Sequence, residues 1–231
     1  NEIKNIPYVV IAIGTPIDEF HNPKIKQLTN CIDQLAPYLD SSQTLILRST
    51  VAPGFTNYLA QYLKNIHNLN INLALCPERI MQGKGLEEIK VFPQIVSGLT
   101  SKALENSKNL FNKINSRLIE CTTTEAEFAK LVCNAYRYFE FAVTNQLYML
   151  VESNDVDYNR LLKIIKKDYP RLQSMPGPGF SGGPCLMKDT SQLFSLGKHK
   201  FPLGVIAVSI NESLPNFIVD KLKKKFGTIM G

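Results

Sequence analysis

The chain opens on an apolar run, Tyr8-Val9-Val10-Ile11-Ala12-Ile13, closed by Gly14-Thr15-Pro16. A continuous β-prone run of this length predicts a strand buried on both faces of a sheet and followed by a loop. Ile25, Leu28, Ile32, Leu35 and Leu39 then recur at helical spacing. The alternation repeats. Residues 44–49 read as a second strand, Tyr58, Leu59, Tyr62 and Leu63 as the inner face of a helix, and residues 72–76 as a third strand ending at Pro77-Glu78-Arg79. Short strands at 94–97 and 117–120, separated by a helix over 102–114, extend the series. Strands alternating with helices at this pitch predict a parallel α/β sheet. After Cys121 the period turns helical throughout. Thr122-Thr123-Thr124-Glu125 predicts an N-cap, and residues 126–151 a single long helix whose apolar stripe, including Phe128, Leu131, Ala135, Val143 and Leu147, belongs to a core or a subunit interface. Helices over 158–167, around 190–196 and over 203–222 complete the chain, with no internal repeat.

Two groups of positions break these patterns. In parallel sheets ligands sit outside the carboxyl ends of the strands, and here three strand ends carry polar, turn-forming residues: Gly14-Thr15-Pro16, Ser49-Thr50 and Pro77-Glu78-Arg79. Capping of the following helices explains each of them singly; three in a row predict one ligand-binding rim. The second group is the stretch from Gly177 to Asp189, Gly-Pro-Gly-Phe-Ser-Gly-Gly-Pro-Cys-Leu-Met-Lys-Asp. Its glycines permit positive φ and close approach to a ligand. Cys185 follows the loop near a predicted helix start, with Lys188 and Asp189 just beyond, and both surroundings favour the reactive thiolate form. Lys130 and Asn134, four apart beside the apolar stripe with Arg137 one turn on, are the polar misfits of the long helix.

Composition sets the limits. With 231 residues and 44% hydrophobic content the chain can bury a sizeable core and divide into two domains. No run approaches eighteen apolar residues and the first residues lack a signal peptide's features, so a cytoplasmic protein without a membrane span is expected. Cys31, Cys76, Cys121, Cys133 and Cys185 form an odd set without metal-ligand spacing, which predicts neither a disulfide framework nor a metal site. A formal charge of +6 is concentrated tightly only at Lys221, Lys223, Lys224 and Lys225. That run reads as a solvated helix face rather than a nucleic-acid site, and the charge suits a small phosphate-bearing substrate.

Taken together, Gly14-Thr15-Pro16, residues 49–56 (Ser-Thr-Val-Ala-Pro-Gly-Phe-Thr), Pro77-Glu78-Arg79, Glu127 with Lys130 and Asn134, and the stretch from Gly177 to Asp189 resemble the nucleotide-sugar 6-dehydrogenases of the UDP-glucose/GDP-mannose dehydrogenase family. The resemblance covers essentially the whole chain. It implies NAD as cofactor and four-electron oxidation of a sugar's C6 alcohol to a uronic acid. Hydride transfer gives an aldehyde, the Cys185 thiolate adds to it, a second hydride transfer yields a thioester, and water hydrolyses that thioester. By the resemblance Cys185 is the nucleophile, with Lys130, Asn134 and Asp189 as its partners, their roles undivided between oxyanion stabilisation and activation of water. Thr50 and Glu78 also join the catalytic set, positioning a water and the cofactor end of the site. Thr15, Pro16, Ser49, Thr50, Glu78 and Lys188 are implied to contact NAD. Arg79, Lys130, Asn134, Arg137, Gly177, Phe180, Gly182, Gly183 and Lys188 are implied to hold the sugar nucleotide.

Gln82 stands where the UDP-glucose members are acidic, and Pro77-Glu78-Arg79 with Arg137 resembles the branch acting on UDP-N-acetylhexosamines such as UDP-N-acetylmannosamine. UDP-glucose or GDP-mannose oxidation, and a non-catalytic module that binds sugar nucleotides or dimerises, are the alternatives. The implied fold is α/β: a partial doubly wound parallel sheet, the second half of a Rossmann-like NAD domain over 1–121, then an all-α central dimerisation domain over 122–212 and a connection over 213–231. A homodimer through the long central helix is implied with it. No GxGxxG precedes the first strand. The chain therefore reads as the middle of a longer enzyme, inactive when taken alone.

Overall fold

Five strands, β1 (Tyr8–Ile11), β2 (Thr44–Leu47), β3 (Asn72–Leu75), β4 (Gln94–Gly98) and β5 (Leu118–Glu120), form one sheet in that order. The structure is a computed structural model that describes residues 2–15, 17, 18, 24–81, 83–181, 185–197 and 200–227; Pro16, Gln82, Gly182 and Gly183 lie outside the described residues. Ile11 pairs with Leu47 and Leu47 with Leu75, so β1, β2 and β3 run parallel and end at one edge. Alternate residues separate into two cores. Val9, Ile11, Leu45, Leu47, Leu73 and Leu75 pack with Leu28 and Ile32 of α1 (Ile25–Leu35) and with Leu59 and Leu63 of α2 (Phe55–His67). Ile46, Ala74, Cys76 and Val96 pack with Ala103 and Phe111 of α4 (Ser101–Phe111). Cover on both faces is why these strands read as unbroken apolar runs. At the edge strand the cover is incomplete, and Val10 stays 45% exposed.

The sheet departs from the expected parallel order at one pairing: β4 runs antiparallel to β3, while β5 runs parallel to β4. Between β3 and β4 lies α3 (Gly85–Val91), which buries no residue. A parallel crossover needs a connection packed on the sheet face, so here the chain returns from the rim it has just left. Gly98 ends β4 where a Cβ would stand 2.4 Å from the Leu104 backbone nitrogen, an approach that only glycine allows.

The described residues form two compact units, Asn1–Leu131 and Val132–Gly231. The 30-residue helix α5 (Thr123–Glu152) begins in the first and runs on in the second. A reciprocal capping box starts it: the Thr122 hydroxyl accepts from the Glu125 N–H at 3.2 Å, and the Glu125 carboxylate accepts from the Thr122 N–H at 2.7 Å. The second unit is helical, with α6 (Tyr158–Lys166), α7 (Cys185–Gly197) and α8 (Pro202–Phe226). Tyr138, Ala142, Leu186 and Ala207 form its buried centre. The apolar stripe of α5 proves to have two sides. Leu131, Ala135 and Ala142 are buried, whereas Val132, Tyr136, Val143, Leu147 and Leu150 are exposed.

By length and composition α8 could cross a membrane, which the run-length reading did not indicate. Asn211 and Pro215 interrupt it, and Gly204, Ala207, Asn211 and Leu214 are buried within the unit. The expected basic face at its end is exposed, with Lys221 paired to Glu152 and lying over the Tyr148 ring.

Candidate active site

Because β1, β2 and β3 end in register, the segments that follow them meet along one rim. Hydrogen bonds from Arg48 N to Ile11 O at 2.8 Å and from Cys76 N to Leu47 O at 2.8 Å continue the ladder past the strands. The Thr15 hydroxyl donates to Thr50 O at 2.6 Å and the Ser49 hydroxyl to Ile13 O at 2.7 Å. These two hydroxyls tie the first loop to the second. Thr15, Thr50, Val51, Ala52 and Phe55 then line a small, mostly apolar recess with Lys24, Ile25 and Leu28.

Glu78 stands at the third strand end. One carboxylate oxygen accepts from Arg79 N at 2.8 Å and Ile80 N at 3.0 Å, and the other pairs with the Arg48 guanidinium. Arg48 is largely buried, which lowers its pKa from the usual arginine value, and its guanidinium lies 4.9 Å from the Phe111 ring centre and 3.5 Å from Gln94 Oε1. Antiparallel β4 puts Gln94, its first residue, at this rim. The Arg79 guanidinium donates to Pro93 O.

Helix α2 begins at Gly54, whose φ of +91° favours glycine and whose missing side chain leaves the first N–H groups uncapped. Glu127, from α5, supplies the acceptor instead. Its carboxylate, on a residue only 2% exposed, accepts from Gly54 N at 2.6 Å, Thr56 N at 2.8 Å and the Thr56 hydroxyl at 2.6 Å. Thus the helix carrying Lys130 is fixed to the loop carrying Thr50, within one unit.

In the second unit Asn134 and Asp189 meet in the interior. Asn134 Nδ2 donates to Asp189 Oδ2 at 2.6 Å, with the two residues 6% and 1% exposed. Lys188 Nζ lies 3.5 Å from Asp189 Oδ1. Cys185, exposed, is the first residue of α7, so Asp189 stands one turn later on the same side of that helix. Lys130 precedes Asn134 by one turn of α5, and Arg137 is exposed. Of the loop, Gly177 and Phe180 are exposed. Neither Gly177 nor Gly179 uses the positive φ that glycine permits, and a Cβ on either would meet nothing within 4 Å beyond its chain neighbours. Packing within the chain therefore does not require glycine at these two positions.

The sequence reading gave no role to Arg48 and Gln94 at the rim or to Asn145 and Asn211 in the second unit. Asn145 had a signal. It lies eleven residues after Asn134, three helical turns on, among buried Tyr138 and Ala142. An Asn on that face needs partners there.

Residues 1–115 match the NAD binding domain of the UDP-glucose/GDP-mannose dehydrogenase family, and residues 124–213 match its central domain. The UDP-N-acetyl-D-mannosamine dehydrogenase of Methanocaldococcus jannaschii is 30% identical over 220 residues, which is 93% of this chain and 50% of that protein. Among solved structures, the UDP-D-ManNAc dehydrogenase of Pyrococcus horikoshii aligns with a TM-score of 0.87 at 28% identity, covering 97% of this chain and 55% of that one. The UDP-N-acetyl-mannosamine dehydrogenase of S. aureus aligns with a TM-score of 0.81 at 27% identity, with the same coverages of 97% and 55%. The chain spans about half the length of the curated relatives it matches.

Proposed function

The chain belongs to the UDP-glucose/GDP-mannose dehydrogenase family, whose members are oxidoreductases, and we propose that it carries the nicotinamide-side rim and the thiol centre of an NAD-dependent 6-dehydrogenase acting on a UDP-N-acetylhexosamine, UDP-N-acetylmannosamine foremost. The buried Asn134–Asp189 hydrogen bond beside the helix that starts at Cys185 carries this reading. A module that only bound sugar nucleotides would gain nothing from a buried carboxylate-amide pair one turn from an exposed thiol. The relatives named for UDP-N-acetylmannosamine support the choice of sugar over UDP-glucose or GDP-mannose.

When bound, NAD supplies the hydride acceptor. The rim fits its nicotinamide end: the Thr15 and Ser49 hydroxyls are engaged by carbonyls, so Thr15, Thr50, Val51 and Ala52 present a shaped, mostly apolar wall. Glu78, held by Arg48 and two backbone N–H groups, fixes the rim's third segment. In the second unit, the Cys185 sulfur forms a C–S bond to the C6 aldehyde, moving the carbonyl electron pair onto oxygen. Asn134 has two amide N–H bonds, and the one donated to Asp189 fixes the direction of the other, a donor suited to that oxyanion. Lys130 adds a positive charge one turn away along α5. When the thioester forms, water adds to its carbonyl, the C–S bond breaks and the thiolate returns, a proton from that water passing to a base of the set formed by Lys130 and Asp189.

The exposed side of α5, from Val132 through Val143 to Leu150, supports a homodimer built on this helix. A cytoplasmic setting goes with the reduced thiol. The test, made in the full-length protein, is intact-protein mass spectrometry under turnover with UDP-N-acetylmannosamine and NAD. Lys130→Ala should accumulate acyl-enzyme on Cys185, and Cys185→Ser should show none and make no uronic acid. Uronic acid formed by Cys185→Ser at the normal rate would refute the covalent mechanism.

A further inference from the structure

Asn145 is completely buried, and both N–H bonds and the carbonyl oxygen of its amide are engaged. Nδ2 donates to Gly179 O at 3.0 Å and to Asn211 Oδ1 at 2.9 Å, while Oδ1 accepts from Gly179 N at 2.9 Å. Asn211, 6% exposed and four residues before Pro215 in α8, donates in turn to Tyr138 O on α5 at 3.3 Å. One side-chain amide thus pairs with both backbone polar groups of a single loop residue, as a neighbouring strand would. It joins α5, the Gly-rich loop and α8. Only this orientation of the amide works, because Gly179 N must donate and Gly179 O must accept. The hydrogen bonds that the described residues give to the Gly179 backbone are made by this side chain. The hold is external.

We propose that Asn145 is a positioning residue of the thiol centre. With Asn211 behind it, it clamps Gly179 on the N-terminal side of Cys185, which lies six residues later and opens α7. The consequence for catalysis rests on the reading of Cys185 as nucleophile. The clamp itself does not.

Hydrogen exchange in the wild-type chain needs no substitution. The Gly179 amide should exchange about 100-fold more slowly than the Gly177 amide, as expected where a fully satisfied buried partner must open first. Asn145→Leu keeps the branching at Cγ and the number of side-chain heavy atoms but cannot pair. It should cost Gly179 at least about tenfold of that protection, and it should change the iodoacetamide rate of Cys185 relative to exposed Cys133 by about threefold or more. The far-UV circular dichroism of the helical second unit should be kept, which a loss of its structure would not allow. Gly179 exchanging as fast as Gly177 in the wild type overturns the proposal, as does a folded Asn145→Leu whose Cys185 to Cys133 ratio is unchanged. If circular dichroism shows that Asn145→Leu has lost the helices of the second unit, the wild-type comparison decides alone. In the full-length protein a fall in turnover of about tenfold should accompany the change in ratio. Turnover unaffected while both clamp readouts move would contradict the nucleophile reading and leave the clamp standing.

Discussion

Removing the Glu127 carboxylate should cost the first unit several kcal/mol, because among the described residues it accepts from Gly54 N, Thr56 N and the Thr56 hydroxyl at the start of α2, where Ala52 O takes only Phe55 N. Three donors converge on it at 2.6, 2.8 and 2.6 Å, and Glu127 and Thr56 are 2% and 0% exposed. A hydrogen bond to a charged group contributes about 1.5 to 3 kcal/mol net, and an acidic group at a helix N-terminus up to about 2 kcal/mol more in partly buried settings. These contributions share one carboxylate, and water entering the space left in Glu127→Ala would satisfy part of what is lost. An expected destabilisation of about 4 kcal/mol is therefore well below their sum. Glu127→Gln keeps one acceptor oxygen but turns an NH2 toward a donor, for an expected cost of about 2 kcal/mol. Urea unfolding followed by far-UV circular dichroism gives the totals. Pulse labelling of Cys76, in the core beside β2, β3 and β4, reports the first unit separately. A cost under about 1 kcal/mol for Glu127→Ala, or the same cost for Gln as for Ala, would refute the capping account.

Two other outcomes follow from the structure. Burial is the largest influence on the Cys76 thiol and pushes its pKa above the ordinary 9.0, against smaller lowering by Ser97, Ser107 and Arg48. The folded state then holds this proton more tightly than the unfolded state, so the contribution is fully present below the unfolded thiol's pKa and is lost as pH rises through the folded one. Between pH 7.5 and 10.5, wild type should lose more stability to urea than Cys76→Ala does; equal losses would exclude Cys76 as the source. On the exposed side of α5, Leu147→Glu should convert a dimer to a monomer by light scattering at micromolar concentration, and a wild type that is already monomeric there would end the dimer proposal.

Much of the fold was legible because local signals agreed. Thr122 and Glu125 cap α5 reciprocally where the sequence places its start, and the continuous runs at β2 and β3 match strands covered on both faces. The direction of β4 was not legible, since a period of two reads alike both ways and only the uncovered α3 explains the return. Helix α7 starts at Cys185, earlier than the pattern around 190–196 indicated, because the preceding Gly-Pro stretch masks the start of the apolar spacing. Apolar residues on both sides of α5 hid which side the unit covers. In the site, residue types chosen for chemistry were found buried and paired, as Asn134 and Asp189 are. What escaped were partners distant in sequence. Arg48 meets Glu78 thirty residues on, and Asn145 meets Gly179 thirty-four residues on. No spacing rule links such pairs; the fold does.

Competitive alkylation of the wild-type chain tests the central claim most directly. Cys185 and Cys133 are both exposed, Cys31 and Cys121 are partly covered and Cys76 is buried. Exposure alone gives Cys185 and Cys133 similar rates. The account predicts that limiting iodoacetamide, read by peptide mass spectrometry, labels Cys185 first, and that UDP-N-acetylmannosamine slows Cys185 while leaving Cys133 unchanged. Equal labelling of the two, with no protection of Cys185 by the sugar nucleotide, would contradict it.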